Sequence, residues 1–124
     1  MYTLLIIDDN PDYRKIMGTL ISSHFRDIKI IEGSKLAETQ QLINQTALDA
    51  VILDINLQDG NGLSVIEDIK ACNPDTRIII LSCSDFPEYQ DAALELGADI
   101  FLSKVSNTLN QCIDKITRVI HHSL

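Results

Sequence analysis

Short apolar runs alternate with amphipathic stretches along the whole chain. The apolar runs, rich in Ile, Leu and Val, cover residues 3–7, 28–31, 50–53, 78–81 and 100–102. Between them, apolar positions recur every three or four residues, as from Ile16 to Ile21, which is typical of amphipathic helices. Continuous apolar runs are typical of strands buried on both faces of a parallel sheet. The pattern therefore predicts an α/β fold of five parallel strands alternating with five helices.

Polar and turn-forming residues predict where the helices begin and end. The expected first residues or caps of helices are Asn10, Pro11, Ser34 and Ser106. The fourth helix is expected to follow Asp85 and to end before Gly97, because glycine readily adopts the backbone conformation that ends a helix.

The strands are followed by residues suited to phosphoryl chemistry. Asp8 and Asp9 follow the first strand, Asp54 ends the third, Ser82 the fourth, and Lys104 follows the fifth. Carboxyl ends of parallel strands lie along one sheet edge, and ligands bind there where the strand order reverses. In the order 2-1-3-4-5 this point lies between the first and third strands, which are about 4.8 Å apart. The sequence predicts one pocket holding all five side chains.

Three carboxylates in one pocket would repel one another unless a cation lies between them. Mg²⁺ suits this cluster because it is a hard ion that prefers oxygen ligands. Asp54 is the candidate nucleophile, since a carboxylate can accept a phosphoryl group as a mixed anhydride. Lys104 could supply a second positive charge to the phosphoryl oxygens and Ser82 a hydrogen bond.

Composition and charge narrow the function classes. The 124 residues fit a single domain, and the formal net charge of −8 argues against nucleic-acid or anionic-membrane binding. No apolar stretch has transmembrane length and the amino terminus lacks a signal pattern. Cys72, Cys83 and Cys112 lack metal-binding spacing and are interpreted as free thiols in a reducing compartment. We expect a cytoplasmic domain.

The motifs together resemble the receiver domain of two-component response regulators over essentially the whole chain. The matching positions are Asp8-Asp9, Asp54, Ser82, Gly97-Ala98-Asp99, Phe101 and Lys104, with the run from Asp54 to Leu57 followed by Gly62. Residues 101–104 more specifically resemble the NarL/FixJ-like branch. The resemblance implies a flavodoxin-like, doubly wound sheet in the order 2-1-3-4-5, and a single receiver domain over residues 1–124.

The resemblance also implies the chemistry of the pocket. A sensor histidine kinase or phosphotransfer protein would phosphorylate Asp54. Mg²⁺ would be bound by Asp9, Asp54 and the backbone carbonyl of Asn56, while Asp8 would orient a metal-bound water. The domain would thus be a signalling phosphoacceptor that assists its own phosphorylation and dephosphorylation, rather than an enzyme with a separate substrate.

A conformational switch is the further implication. Ser82 and Lys104 would move onto the phosphoryl oxygens, and Phe101 would turn inward behind Ser82. The face made by the fourth helix, fifth strand and fifth helix would then change its affinity for an output domain, a partner protein or a second copy of the chain. This is a local charge event that biases a two-state element.

Three residues depart from the family pattern. Val105 follows the lysine where proline is usual, and we expect a trans bond there because a cis bond before a non-proline residue costs about 2.5–4 kcal/mol. Gln58 replaces a common proline and leaves its loop less rigid. Cys83 replaces Ala or Gly and is interpreted as a small buried hydrophobic residue that narrows access to Asp54.

Other functions are compatible with parts of this pattern. A haloacid-dehalogenase-type phosphatase uses a similar set of groups, but its nucleophile follows the first strand in an Asp-x-Asp pattern, unlike Asp8-Asp9-Asn10. A degenerate receiver or flavodoxin-like binding module would never accept phosphate. No output domain is visible in residues 1–124, so the chain is either a stand-alone receiver or a piece of a longer regulator.

Overall fold

Five parallel strands form one sheet in the order β2-β1-β3-β4-β5, as predicted, in a computed structural model that describes residues 1–124. The strands are β1 Tyr2–Ile7, β2 Ile28–Gly33, β3 Ala50–Asp54, β4 Arg77–Ser82 and β5 Ile100–Ser103. The helices are α1 Pro11–Ser22, α2 Leu36–Gln45, α3 Ile66–Cys72, α4 Pro87–Leu96 and α5 Leu109–Ser123. A 3₁₀ turn, Gly62–Val65, leads directly into α3.

The core consists of two apolar layers, one on each face of the sheet. Successive strand residues point to opposite faces, so Leu5 and Val51 pack under α2, α3 and α4, whereas Leu4 and Ile52 pack under α1 and α5. Burial on both faces explains why the strands are continuously apolar. The two layers lock the strand register on which the geometry of the carboxyl edge depends.

Strand register aligns the carboxyl ends of four strands. Ile7 of β1 lies beside Leu53 of β3, and Asp54 lies beside Leu81 of β4. Ser82 in turn lies beside Ser103 of β5. Asp8, Asp54, Ser82 and Lys104 therefore occupy consecutive positions along one edge.

Two helix starts agree with prediction. The side chain of Asn10 accepts hydrogen bonds from the backbone N–H groups of Asp12 and Tyr13, both at 3.1 Å, and Pro11 is the first residue of α1. Helix α4 begins at Pro87 and ends at Gly97, whose φ of 119° is accessible to glycine at little cost. The Asn10 cap fixes the end of α1 nearest the carboxyl edge of the sheet, whereas Gly97 ends α4 at the opposite edge, just before β5.

Two predicted caps are wrong. Ser34 does not cap α2: the cap position is Lys35, and the Asp59 carboxylate accepts hydrogen bonds from the N–H groups of Leu36 (2.8 Å) and Ala37 (3.1 Å).

At α5, Thr108 rather than Ser106 is the cap, because its hydroxyl and the Gln111 side chain form a reciprocal capping box. The Ser106 hydroxyl donates instead to Asp85 at 2.8 Å.

The loop after β3 is held close to Asp54. Residues Asn56–Leu57 and Gly60–Asn61 form a short antiparallel ladder, and the Gly62 N–H donates to the Ile55 carbonyl at 2.7 Å. A side chain at position 62 would collide with the Asp54 carbonyl oxygen, which explains the glycine there. No helix of the chain is both long and apolar enough to cross a membrane.

Candidate functional site

Three carboxylates meet between β1 and β3, as the sequence predicts. One oxygen from each of Asp8, Asp9 and Asp54 lies within 4.8 Å of the others. Asp8 and Asp54 are buried, with 1% and 4% of their surface exposed, whereas Asp9 is open to solvent. An all-oxygen cluster with one accessible member can hold a divalent metal ion.

Lys104 offsets one of the two negative charges in the buried part of this cluster. Its Nζ donates to Asp8 Oδ2 at 2.7 Å and to Asp54 Oδ2 at 3.3 Å, and only 14% of the lysine side chain is exposed. Burial alone would lower the pKa of Lys104, but the hydrogen bond to Asp8 and the charge of Asp54 outweigh it and raise the pKa. The lysine is therefore a fixed cation at neutral pH.

Asp54 combines burial with access to two donors. Burial raises the pKa of Asp54 above its ordinary value, and the positive charge of Lys104 opposes the shift without cancelling it. The Asn56 N–H donates to Asp54 Oδ1 at 3.1 Å, so the two carboxylate oxygens have different partners. Ionised Asp54 is stabilised less than it would be in water.

The raised pKa of Asp54 predicts a pH-dependent effect on stability. The folded state binds the Asp54 proton more tightly than the unfolded state, so this residue's stabilising contribution is complete below the ordinary pKa and is lost as pH rises through the raised one. In chelator, Asp54→Asn should be more stable than wild type at pH 7, and the difference should shrink on acidification. Urea unfolding of both proteins, from pH 7 downwards through the titration of the carboxyl group, measures the difference in unfolding free energy. A variant less stable than wild type at pH 7 would contradict the prediction.

Ser82 and Phe101 lie at the same edge but on the other side of the sheet. Ser82 is 1% exposed, and its hydroxyl oxygen accepts the Ser84 N–H at 3.0 Å. Phe101 is half-buried against the layer under α2, α3 and α4, and it borders a surface cavity of about 370 Å³ with Asp85 and Gln90. The Ser82 hydroxyl bonds neither Asp54 nor Lys104, although the Lys104 backbone N–H donates to the Ser82 carbonyl at 2.7 Å.

The three departures from the family pattern have clear positions. The chain contains no cis peptide bond, so the bond before Val105 is trans as expected. Gln58 is exposed in the loop after Asp54. The interpretation of Cys83 as a buried residue is wrong: its side chain is exposed, because the chain leaves the sheet directly after Ser82.

Sequence reasoning missed two side chains of the site, both in the first turns of α1. The Tyr13 ring lies against Lys104, with Nζ 4.3 Å from the ring centroid. Arg14 donates to the backbone carbonyl of Asp8 at 2.6 Å and to Glu32 Oε1 at 2.8 Å. The sequence did offer one sign of them: both residues lie at the start of the helix that follows Asp8 and Asp9.

Asp99, part of the Gly-Ala-Asp run, lies away from the carboxylate cluster. Its carboxylate accepts the Ile78 N–H at 2.7 Å and pairs with Lys70 and Arg77 at 3.4 and 3.3 Å. It joins the start of β4 to the start of β5, which is a structural role at the amino edge of the sheet.

Fold and site together define a doubly wound α/β domain with an acidic pocket at its carboxyl edge. Residues 4–116 match the family described as the response regulator receiver domain. The chain therefore belongs to that family: it is a receiver domain of the kind found in two-component response regulators.

Named relatives agree with this assignment. The nitrate/nitrite response regulator protein NarL of Escherichia coli K12 is 33% identical over 103 residues, which cover 82% of this chain and 47% of NarL. NarL is consistent with the branch suggested by residues 101–104. The chain spans 27% and 55% of the length of two other curated relatives, a cyclic di-GMP phosphodiesterase of Thermotoga maritima and a glycerol metabolism activator of Pseudomonas putida.

Solved structures share the fold. A LuxR-family DNA-binding response regulator from Staphylococcus aureus superposes with a TM-score of 0.81 at 25% identity, covering 96% of this chain and 98% of that one. A response regulator from Burkholderia pseudomallei, solved with a phosphorylated aspartic acid, calcium ion and citrate, superposes with a TM-score of 0.78 at 22% identity, covering 95% and 72% of the two chains.

Proposed function

We propose that Asp54 is the phosphoacceptor of a signalling switch driven by a sensor histidine kinase or a phosphotransfer protein. The observation that carries the proposal is the pairing of buried Asp54 with Lys104, beside two further carboxylates. Asp8 shares the burial, the lysine and the cluster, but Lys104 binds Asp8 more closely, at 2.7 Å against 3.3 Å for Asp54, which leaves Asp54 with the less tightly held oxygen. The phosphorylated aspartic acid of the Burkholderia pseudomallei relative supports the same chemistry.

Transfer of the phosphoryl group to Asp54 needs no reactant other than the phosphohistidine. An oxygen of Asp54 attacks the phosphorus of a phosphohistidine whose other ring nitrogen is protonated; the phosphorus–nitrogen bond breaks, and the ring takes that electron pair and leaves as neutral imidazole. The product is an acyl phosphate on Asp54. Such transfer depends mainly on in-line positioning and charge neutralisation, and Lys104 is already placed to neutralise a phosphoryl oxygen.

Mg²⁺ is the proposed resident ion. Asp9, Asp54 and the backbone carbonyl of Asn56 would hold it, and Asp8 would orient a bound water. The donor set fits, because every candidate ligand atom is oxygen and Asp9 and Asn56 face solvent. When bound, the ion would neutralise charge on the phosphoryl oxygens.

The proposed switch uses the residues on the other side of the edge. Ser82 would exchange its Ser84 partner for a phosphoryl oxygen, and Lys104 would move from Asp8 towards the same group. Phe101 would then turn inward behind Ser82. The surface of α4, β5 and α5 would present the changed state to an output domain, to a partner protein or to a second phosphorylated copy.

We also propose that residues 1–124 act as one receiver domain in the cytoplasm. The three free thiols suit the reducing environment of that compartment. With a net charge of −8, the domain itself would contact neither nucleic acid nor membrane. It would act on no separate substrate, and would assist only the gain and loss of its own phosphoryl group.

Metal removal tests the phosphoacceptor proposal. Incubation with acetyl phosphate and Mg²⁺ should add the mass of one phosphoryl group to the intact protein, and incubation with chelator should add none. Refilling the chelated sample with Mg²⁺ should restore the gain. If the folded protein gains no phosphate from acetyl phosphate or from a histidine kinase, it is a phosphorylation-independent binding module instead.

A further inference from the structure

The Lys104 ammonium contacts an aromatic ring as well as two carboxylates. Its Nζ lies 4.3 Å from the Tyr13 ring centroid while it donates to Asp8 and Asp54. A cation near an aromatic ring is attracted by the negative face of the ring, more strongly where water is excluded. The low exposure of the lysine side chain favours the stronger case.

We propose that Tyr13 is a positioning residue for Lys104. Its ring restrains the ammonium group beside Asp54, so that the charge is in place when a phosphoryl group arrives. The proposal rests on the role assigned to Lys104 above and extends it to a residue that touches neither the phosphoryl group nor the metal. Without the ring, the flexible lysine would sample more positions and the transfer would slow.

The ring is itself held on two sides. The Tyr13 N–H donates to the capping side chain of Asn10 at 3.1 Å, which fixes the residue in the first turn of α1. The half-buried side chain packs into the layer shared by α1 and α5, beside Cys112 of α5. Because both supports belong to the core or to a helix cap, the ring provides a rigid surface for the ammonium.

The ring, rather than the hydroxyl, makes the contact with the lysine. The phenol group has its side-chain neighbour in Cys112, whereas the ammonium lies near the ring centroid. Tyr13→Phe should therefore keep the positioning, and Tyr13→Leu should remove it while retaining apolar volume against α5. Tyr2→Leu is the matched control, because Tyr2 packs in the same layer as Tyr13 but lies at the start of β1, at the edge of the sheet opposite Lys104.

Two measurements test the proposal. In the unphosphorylated protein without Mg²⁺, ring current should shift the Lys104 Cε protons upfield in wild type and Tyr13→Phe, and the shift should vanish in Tyr13→Leu. With Mg²⁺ and sub-saturating acetyl phosphate, Tyr13→Leu should be phosphorylated about three- to tenfold more slowly. Tyr13→Phe and Tyr2→Leu should match wild type.

The proposal is overturned if Tyr13→Leu keeps the wild-type rate, or if Tyr13→Phe is as slow as Tyr13→Leu. Should Tyr13→Leu fail to fold by circular dichroism, Tyr13→Met replaces it as the variant that lacks a ring. A wild-type protein that gains no phosphate at all refutes the phosphoacceptor function instead. In that case the Lys104 proton shift still decides whether the ring restrains the ammonium.

Discussion

The Asp54→Asn variant is expected to gain no phosphoryl group from acetyl phosphate under conditions in which the wild-type protein is fully modified. An amide is a far weaker nucleophile than a carboxylate, and Asp8, the other buried carboxylate beside Lys104, is held more closely by the lysine, at 2.7 Å against 3.3 Å for Asp54. The fold should persist, because Asp54 is the last residue of β3 and lies at the sheet edge. Intact-protein mass spectrometry with Mg²⁺ measures the loss.

The control for this variant is Asp68→Asn, an exposed aspartate on α3 that should leave phosphorylation unchanged. Peptide mapping of the wild-type phosphoprotein should place the label on Asp54. Stoichiometric labelling of Asp54→Asn would show that another residue is the acceptor.

Lys104→Ala is expected to separate phosphorylation from the conformational response. Metal binding should be largely retained, because the ligands proposed for the ion do not include the lysine. The phosphorylated variant should lack the chemical-shift changes at Phe101 and α4 that the wild-type protein shows. Two-dimensional amide NMR spectra, recorded with and without acetyl phosphate, compare the two proteins.

Loss of Lys104 should also destabilise the metal-free protein. The variant leaves Asp8 and Asp54 buried without their shared cation, and breaking a buried ion pair costs about 3–5 kcal/mol. We expect the unfolding free energy to fall by about 3 kcal/mol, the lower end of that range, because Asp8 keeps its hydrogen bond from the Asn10 N–H. Urea unfolding in chelator measures it, with exposed Lys29→Ala as the control. In the NMR comparison, wild-type chemical-shift changes at Phe101 and α4 in phosphorylated Lys104→Ala would contradict the role of Lys104 in the conformational response.

The sheet and its reactive edge could be predicted because both depend on local pattern. Continuous apolar runs identify strands buried on both faces, and the first polar residue after each run lies at the carboxyl edge. Asp8, Asp54 and Lys104 come together because of this pattern and the strand order. Their contact distances, and the position of the Ser82 hydroxyl on the other side of the sheet rather than in one pocket with them, depend on the packing of the whole fold and could not be predicted from the pattern.

The prediction of the α2 cap failed because a residue far along the chain supplies the hydrogen-bond acceptor. Ser34 is a good cap by residue type, yet Asp59, which is far along the chain, supplies the acceptor for the first turn of α2. At α5, Ser106 and Thr108 are equivalent by type, and Gln111 decides between them by completing a reciprocal pair. The α2 cap therefore does not follow from the residues next to it, whereas the α5 cap has a local signal, the Thr-x-x-Gln spacing from Thr108 to Gln111.

Tyr13 and the exposure of Cys83 escaped prediction for a related reason. The ring meets Lys104 across 91 positions of sequence (104 − 13 = 91), and no local pattern encodes such a contact. Cys83 follows a fully buried strand, so its environment depends on how sharply the chain turns away from the sheet.

The alternation of side chains along the strands divides the site between the two layers of the protein. Lys104 bonds Asp54 and contacts Tyr13 in the layer of α1 and α5, whereas Phe101 packs in the layer of α4. A phosphoryl group on Asp54 would sit on the boundary between these layers. Phosphorylation of Asp54 could thus change both opposite surfaces of the domain. The partner that delivers the phosphoryl group and the partner that responds to it could then bind different surfaces.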